Sequence, residues 1–302
     1  RGGAVSIDTI IAIDWSARSK PSAKTPVKDA IYLCAQRLGS PAAHPQYFRT
    51  RHAVMQHLYE LLEIEMTAGR KIFVGFDFSF GYPQGFAQAL TGKPEALAIW
   101  DWLKERIEDG PDNSNNRFEV ACEINKIFAG LGPFWGAPAH LKLPGLPHKG
   151  AARHSHGLPE YRQTDLAAKA QSSWKLYTTG AVGSQFLLGL PYLAGLRNWL
   201  GKRCQVWAIE GSKLLQRASV APSEIYPSIL TAKEIAADYI KHWPDQLYHI
   251  VDAQQVRGGC DQLQSMFGSD PLLQNFMPAH VPVNIQIEEG WILGAHTQRR
   301  RQ

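Results

Sequence analysis

Apolar residues follow one another without a polar break from Ile10 to Ile13, and the run stops at Asp14-Trp15-Ser16. A second run, Lys71 to Phe78, carries Asp77 near its end and closes in the turn Phe80-Gly81-Tyr82-Pro83. Runs that are β-branched or aromatic throughout read as strands covered on both faces. Between them, Ala30 to Leu38 and the shorter Gln46 to Arg49 predict two more strands. From His52 to Thr67, the residues Val54, Leu58, Leu61, Leu62 and Met66 recur at helical spacing, and Gly69 ends the pattern. The links between the first three strands are too short for parallel crossovers, which need a dozen or more residues. The opening therefore predicts an antiparallel meander, a helix, and a strand that returns beside the first.

The character changes from Gln84 to Gly183. Two aromatic helical pieces, Leu97 to Ile107 and Arg117 to Phe128, precede a Gly/Pro/His-rich run from Gly130 to Pro159. Loops of that length inside a compact domain are usually functional. Beyond Gly183 the pattern predicts a helix to Leu200, a strand from Cys204 to Ile209, an extended piece ending in Glu224, and helices from Ala232 to Lys241 and Asp245 to Gln264. The expected organisation is a core of residues 1–83 and 184–302, with 84–183 inserted as a cap.

Acidic residues at apolar strand ends are the candidate chemistry. Asp14, Asp77, Glu224 and Asp252 stand far apart in the chain, and a charge is rarely placed at the end of a buried strand for packing. Two carboxylates about 4 Å apart repel by about 4 kcal/mol at an effective dielectric near 20. A divalent cation between them would remove that repulsion, and hard Mg²⁺ or Mn²⁺ prefers carboxylate and water oxygen to His or Cys. Each acid also has a plain alternative: a turn bond from Asp14 to Ser16 or Ser19, turn initiation by Asp77 or Glu224, a helix-face charge for Asp252.

The segments IIAIDWSA, VGFDFSFGYP, SEIYPS, HIVDAQQV and the closing EEGWILG together resemble an uncharacterised bacterial branch of predicted nucleases within the ribonuclease H-like superfamily. The resemblance covers about residues 7–83 and 184–294. It implies an α/β fold, a ribonuclease H-like mixed five-stranded sheet flanked by helices, with a long helical and irregular insertion. It also implies phosphodiester hydrolysis of a nucleic acid with Mg²⁺ or Mn²⁺. In that scheme Asp14 bridges two ions, Asp77 holds one, and Asp252 and Glu224 complete the other.

For substrate binding, Ser16 and Ser19 follow the first acid. Arg117, Arg153, Arg162 and Lys175 interleave with Trp135, Tyr161, Trp174 and Tyr177, a composition suited to pairing phosphates and stacking bases, or equally to packing. His140, His148, His154 and His156 read as solvated loop residues.

Composition narrows the field. With 302 residues, 44% hydrophobic and 20% charged, the chain buries a full core. Its formal charge of +5 owes most to Arg299, Arg300 and Arg301, so no strong polyanion signal remains. Cys34, Cys122, Cys204 and Cys260 show no metal spacing and predict reduced thiols in a cytoplasmic protein. The apolar stretch from Phe186 to Leu196 falls short of the roughly 20 residues a bilayer span needs, so no membrane is expected. An actin-like or sugar-kinase-like ATP-binding protein shares the first strands and their acid, but needs two domain copies. A catalytically silent nucleic-acid-binding or scaffold protein on the same fold is the third reading.

Overall fold

A computed structural model of the chain describes residues 7–40, 43–153, 155–212, 215, 218–227, 246–269 and 276–296. Strand β1 (Thr9–Asp14) explains why its sequence has no polar break. Ile11 and Ile13 join one apolar cluster while Ile10 and Ala12 join another on the opposite face. Period-two alternation between two covered faces turns a half-polar pattern into a continuous apolar one.

Strands β2 (Ile31–Arg37) and β3 (Gln46–Phe48) complete the expected meander, β2 running antiparallel to both neighbours. Helix α1 (Arg51–Thr67) follows, its start fixed by Thr50, whose side chain accepts from the Ala53 N–H. It presents Val54, Met55, Leu58 and Leu62 to the first cluster and delivers the chain to β4 (Ile72–Phe76), parallel to β1.

The cap contains helices α2 (Phe86–Thr91), α3 (Ala96–Lys104), α4 (Arg117–Asn125) and α5 (Gln163–Ala168). Helix α6 (Gly183–Leu200) then leads to strand β5 (Val220–Glu224), which pairs with β4 in parallel. The mixed sheet has five strands in the order β3-β2-β1-β4-β5. Helix α7 (Val251–Ser269) covers its second face with Ala253, Val256, Cys260 and Leu263, and α8 (Val283–Glu289) follows.

Among the described residues the cap shares one core with the sheet. One cluster runs from Ile13 and Phe76 through Phe78, Phe80 and Tyr82 to Trp100, Phe134 and Trp174. The Trp100 indole N–H donates to the Phe80 carbonyl at 2.7 Å, tying α3 to the segment after β4. That fixed position matters because the same segment begins with Asp77.

Two expectations require adjustment. Cys204 to Ile209 is not a strand: the Gln205 and Trp207 N–H groups do reach the Val220 and Pro222 carbonyls, but Ala208 turns at φ 67° and Glu210 receives the Val206 N–H at 2.8 Å. The turn bonds of Glu210 outcompete a ladder. The helix expected from Asp245 begins at Val251, after a 3₁₀ turn at Gln246–His249, and extends to Ser269. The helix expected from Ala232 to Lys241 lies outside the described residues. Among the described residues no helix is long and apolar enough to cross a membrane.

Candidate functional site

Because β1 and β4 run in parallel, their carboxyl ends coincide. Asp14 is the last residue of β1, and Asp77 directly follows β4. The Trp15 N–H donates to Asp77 Oδ1 at 2.7 Å, and the Asp77 N–H donates to the Ile13 carbonyl at 3.3 Å. These bonds hold the two carboxyl groups side by side, hydrogen-bonded to each other. From the opposite layer, the first turn of α7 brings Asp252 towards them. Asp252 Oδ2 accepts the Asp29 N–H at 2.5 Å, and Asp29 adopts a left-handed φ of 56° to offer it.

Burial raises the Asp14 pKa well above the usual aspartate range, and the charges of Asp77, Asp252 and Asp29 push it further. Burial also raises that of Asp77, against the pull of the bonds it accepts from Asp14 and the Trp15 N–H. Asp252 rises to about 6, mainly by burial, with the Asp29 N–H opposing. The Asp14 and Asp77 shifts both run in the direction of two neighbouring buried carboxyls that resist carrying two negative charges. A proton or a cation between them would relieve that repulsion.

The donor set suits a hard divalent cation: carboxylate oxygens, no sulfur, and a repulsion that a cation would relieve. Asp14 and Asp77 would hold it, with Asp252 as the third negative charge. As they stand, no group of three or more His, Cys, Asp or Glu among the described residues is arranged to hold a metal ion.

A cleft of about 580 Å³ opens beside the pair, lined by Asp14, Ser16, Arg18 and Asp252 from the core and by Arg117 and Tyr177 from the cap. Ser16 donates to the Asp29 carbonyl at 2.8 Å, as does Arg18 Nε at 2.9 Å. Beneath this loop lies Arg51, fully buried. Its Nη1 donates to the carbonyls of Ser16 (2.9 Å) and Arg18 (2.8 Å), while Nη2 meets Asp109 Oδ1 of the cap at 2.6 Å. Gln185, from the first turn of α6, donates to the Trp15 carbonyl at 2.9 Å.

Three expected site residues stand elsewhere. Glu224 lines a small cavity of about 50 Å³ with Asp77 but is bonded to Arg162: its Oε1 and Oε2 receive Arg162 at 2.6 and 2.7 Å, and Oε2 also receives the Phe80 N–H at 3.1 Å. Arg162 completes its fork on Asp165 at 2.7 Å and is fully buried, so neither residue is available to a metal or a substrate. A Glu at a strand end was the correct structural signal, but its charge is spent on an arginine 62 residues away. Lys175 bonds the Thr179 carbonyl at 2.6 Å and sits 5.6 Å from the Trp135 ring centre, outside the cleft. Trp174 is core, and the ring nitrogens of His148 and His156 make local loop bonds.

Sequence reasoning missed Asp29, Arg51 and Gln185. Each acts through a backbone group, and backbone partners leave no residue-type signature. Ser16, Ser19, Arg117, Asp14 and Asp252 do line one cleft, and Asp77 touches Asp14 at its floor. Compared with protein-family models, with curated proteins and with solved structures, the chain matches none.

Proposed function

We propose that the protein is a divalent-metal-dependent phosphodiesterase acting on a nucleic acid, built on a ribonuclease H-like core. The observation that carries the reading is the hydrogen-bonded Asp14–Asp77 pair, with Asp252 facing it, at the carboxyl ends of adjacent parallel strands. Open α/β sheets bind ligands at that edge. The order of parts supports the fold assignment: an acid ending β1, a meander, a helix, an acid after β4, and an acid on a late helix packed against the sheet. Three buried or partly buried carboxyl groups that repel one another destabilise the fold, and a bound cation offsets that cost.

When bound, Mg²⁺ or Mn²⁺ supplies polarisation of a phosphoryl oxygen and a water of lowered pKa. The chain's own residues do the rest. Beside that positive charge Asp14, Asp77 and Asp252 would all be ionised, Asp14 releasing its proton to solvent because the cation would outweigh the repulsion from its two neighbours. Ser16, held by Asp29, and the Arg51-anchored loop fix one wall of the cleft.

The test is Mn²⁺ titration followed by calorimetry and thermal unfolding, with ATP as a parallel ligand. Wild type is expected to bind Mn²⁺ and gain about 2.7 kcal/mol at 100 times Kd, while Asp14→Asn and Asp77→Asn lose binding but stay folded. Folded wild type that shows no Mn²⁺ response at millimolar concentration would overturn the reading, and stabilisation by ATP alone would replace it with the nucleotide-binding one.

A further inference from the structure

The cleft has a second, positive pole. Arg117, the first residue of α4, is only 6% exposed. Its guanidinium meets neutral oxygens: Nε donates to Ser184 Oγ at 2.9 Å, and Nη1 to Ser19 Oγ at 2.9 Å and Asn115 Oδ1 at 2.8 Å. Its Cζ stacks 4.3 Å from the Phe118 ring centre. Among the described residues no carboxylate pairs with it, and its Nη2 has no hydrogen-bond partner. The other deeply buried arginines differ in this respect: Arg51 has Asp109, Arg162 has Asp165 and Glu224, and Arg257 has Asp261, at 2.6 to 3.1 Å.

Burial and Arg51 lower the Arg117 pKa to about 10 against the pull of the Asp109 and Glu119 charges, which still leaves it charged at neutral pH. A buried charge with no carboxylate in direct contact is costly, and a ligand anion would supply that contact. A second feature points to the same ligand. The 18-residue helix α6 has no side-chain cap at its N-terminus; the Gly183 and Gln185 N–H groups bond the Lys175 and Val182 carbonyls, the Ser184 hydroxyl bonds the Leu176 carbonyl, and Ser184 and Gln185 line the cleft beside Arg117, so the positive end of the helix dipole faces it. A helix N-terminus carries about half a positive charge and favours phosphate.

Volume and charge then limit what the phosphate belongs to. About 580 Å³ falls within the range of pockets that enclose one small ligand, roughly 300–1,000 Å³. A groove for duplex needs several cations spread along the backbone path. The basic residues lining this cleft are Arg18 and Arg117, and the Arg18 guanidinium is already bonded to the Lys28 and Asp29 carbonyls at 2.9 Å.

We infer that the cleft takes a single nucleotide unit bearing a phosphomonoester, with that phosphate held by Arg117 and Ser19 in the field of the positive end of α6. Resting on the phosphodiesterase reading, the inference makes the substrate a phosphorylated strand end or a small nucleotide, rather than the interior of a duplex. The bond to be cut faces Asp14 and the terminal phosphate faces Arg117.

The experiment has a metal-free and a metal-loaded arm on the full chain. In EDTA, adenosine 5′-monophosphate is expected to bind at least about tenfold more tightly than adenosine, the worth of one charge-assisted contact. Arg117→Gln should abolish the difference and Arg117→Lys keep part of it. Ser19→Ala, at an exposed position, should weaken monophosphate binding severalfold and keeps the test alive if Arg117→Gln does not fold. With Mn²⁺, a short single strand with a terminal phosphate should be cut at least about tenfold faster than the same strand without it, and a dinucleotide tested both ways separates strand ends from small nucleotides. Equal binding of nucleotide and nucleoside, or equal cutting with and without the terminal phosphate, overturns the inference while leaving Mn²⁺ binding intact. Arg117-dependent monophosphate binding by a protein that ignores Mn²⁺ would support the anion site and refute the metal reading alone.

Discussion

Replacing Asp14 by Asn should make the metal-free protein more stable at alkaline pH, although it removes a residue central to the proposed site. Both Asp14 and Asp77 have pKa values raised by burial, and Asp252 is raised to about 6. A carboxyl whose folded pKa lies above its unfolded value holds protons that the unfolded chain releases. Its stabilising contribution is full below an unfolded pKa of about 3.9 and is lost as pH rises through the folded value. For Asp252 the rise to about 6 corresponds to about 3 kcal/mol by linkage, reduced to about 1–2 kcal/mol because the carboxyl is partly wetted. Asp14 is more deeply buried, and its contribution is lost with rising pH in the same direction. An Asn at this position keeps the donor to Asp77 without the charge. In EDTA at pH 8 the variant should gain about 1–3 kcal/mol, or about 3–8 °C in Tm, and the gain should shrink towards zero at pH 5. Scanning calorimetry across pH 5–8 reads this directly. A variant less stable than wild type at every pH would show that Asp14 is a structural anchor and would refute the reasoning.

Mn²⁺ affinity should fall steeply as pH drops below about 6, because ligation requires Asp252 and the Asp14–Asp77 pair to release protons; calorimetry in buffers of different ionisation enthalpy counts those protons, and a pH-independent affinity would contradict the assignment. Glu224→Gln should cost about 3–5 kcal/mol, since it leaves buried Arg162 with Asp165 alone, yet leave Mn²⁺ affinity within about twofold; a tenfold loss of Mn²⁺ binding would put Glu224 back among the metal ligands. Gly189→Ala should destabilise by about 1–3 kcal/mol, because its Cβ would lie 2.5 Å from Phe78 Cζ, and urea unfolding with an unchanged midpoint would disprove that contact.

The meander, α1 and the return of β4 were legible because each depends on a local period. The alternation in β1 and the spacing of Val54, Leu58 and Leu62 are set by strand and helix geometry. Asp14 and Asp77 were legible for a related reason: parallel pairing forces two strand ends together. Glu224 ends β5, the next parallel strand, and the same logic pointed to it equally. What sequence did not show was Arg162, which reaches it from inside the cap and takes both of its oxygens. Long-range ion pairs have no period. The Cys204–Ile209 segment failed similarly, its strand-like composition overruled by the turn bonds of Glu210.

Arg51 also bears on how the chain is made. It opens α1, and its counter-charge Asp109 lies 58 residues further on. During synthesis at about 5–20 residues per second, the guanidinium therefore waits about 3–12 s before its partner leaves the ribosome. Until then the loop carrying Ser16 and Arg18 lacks the clamp that shapes the cleft wall. The meander and α1 can assemble early, but the functional surface is a late product of translation. A pause introduced between the codons for residues 51 and 109 would lengthen the interval in which an unneutralised arginine sits at the edge of a nascent core.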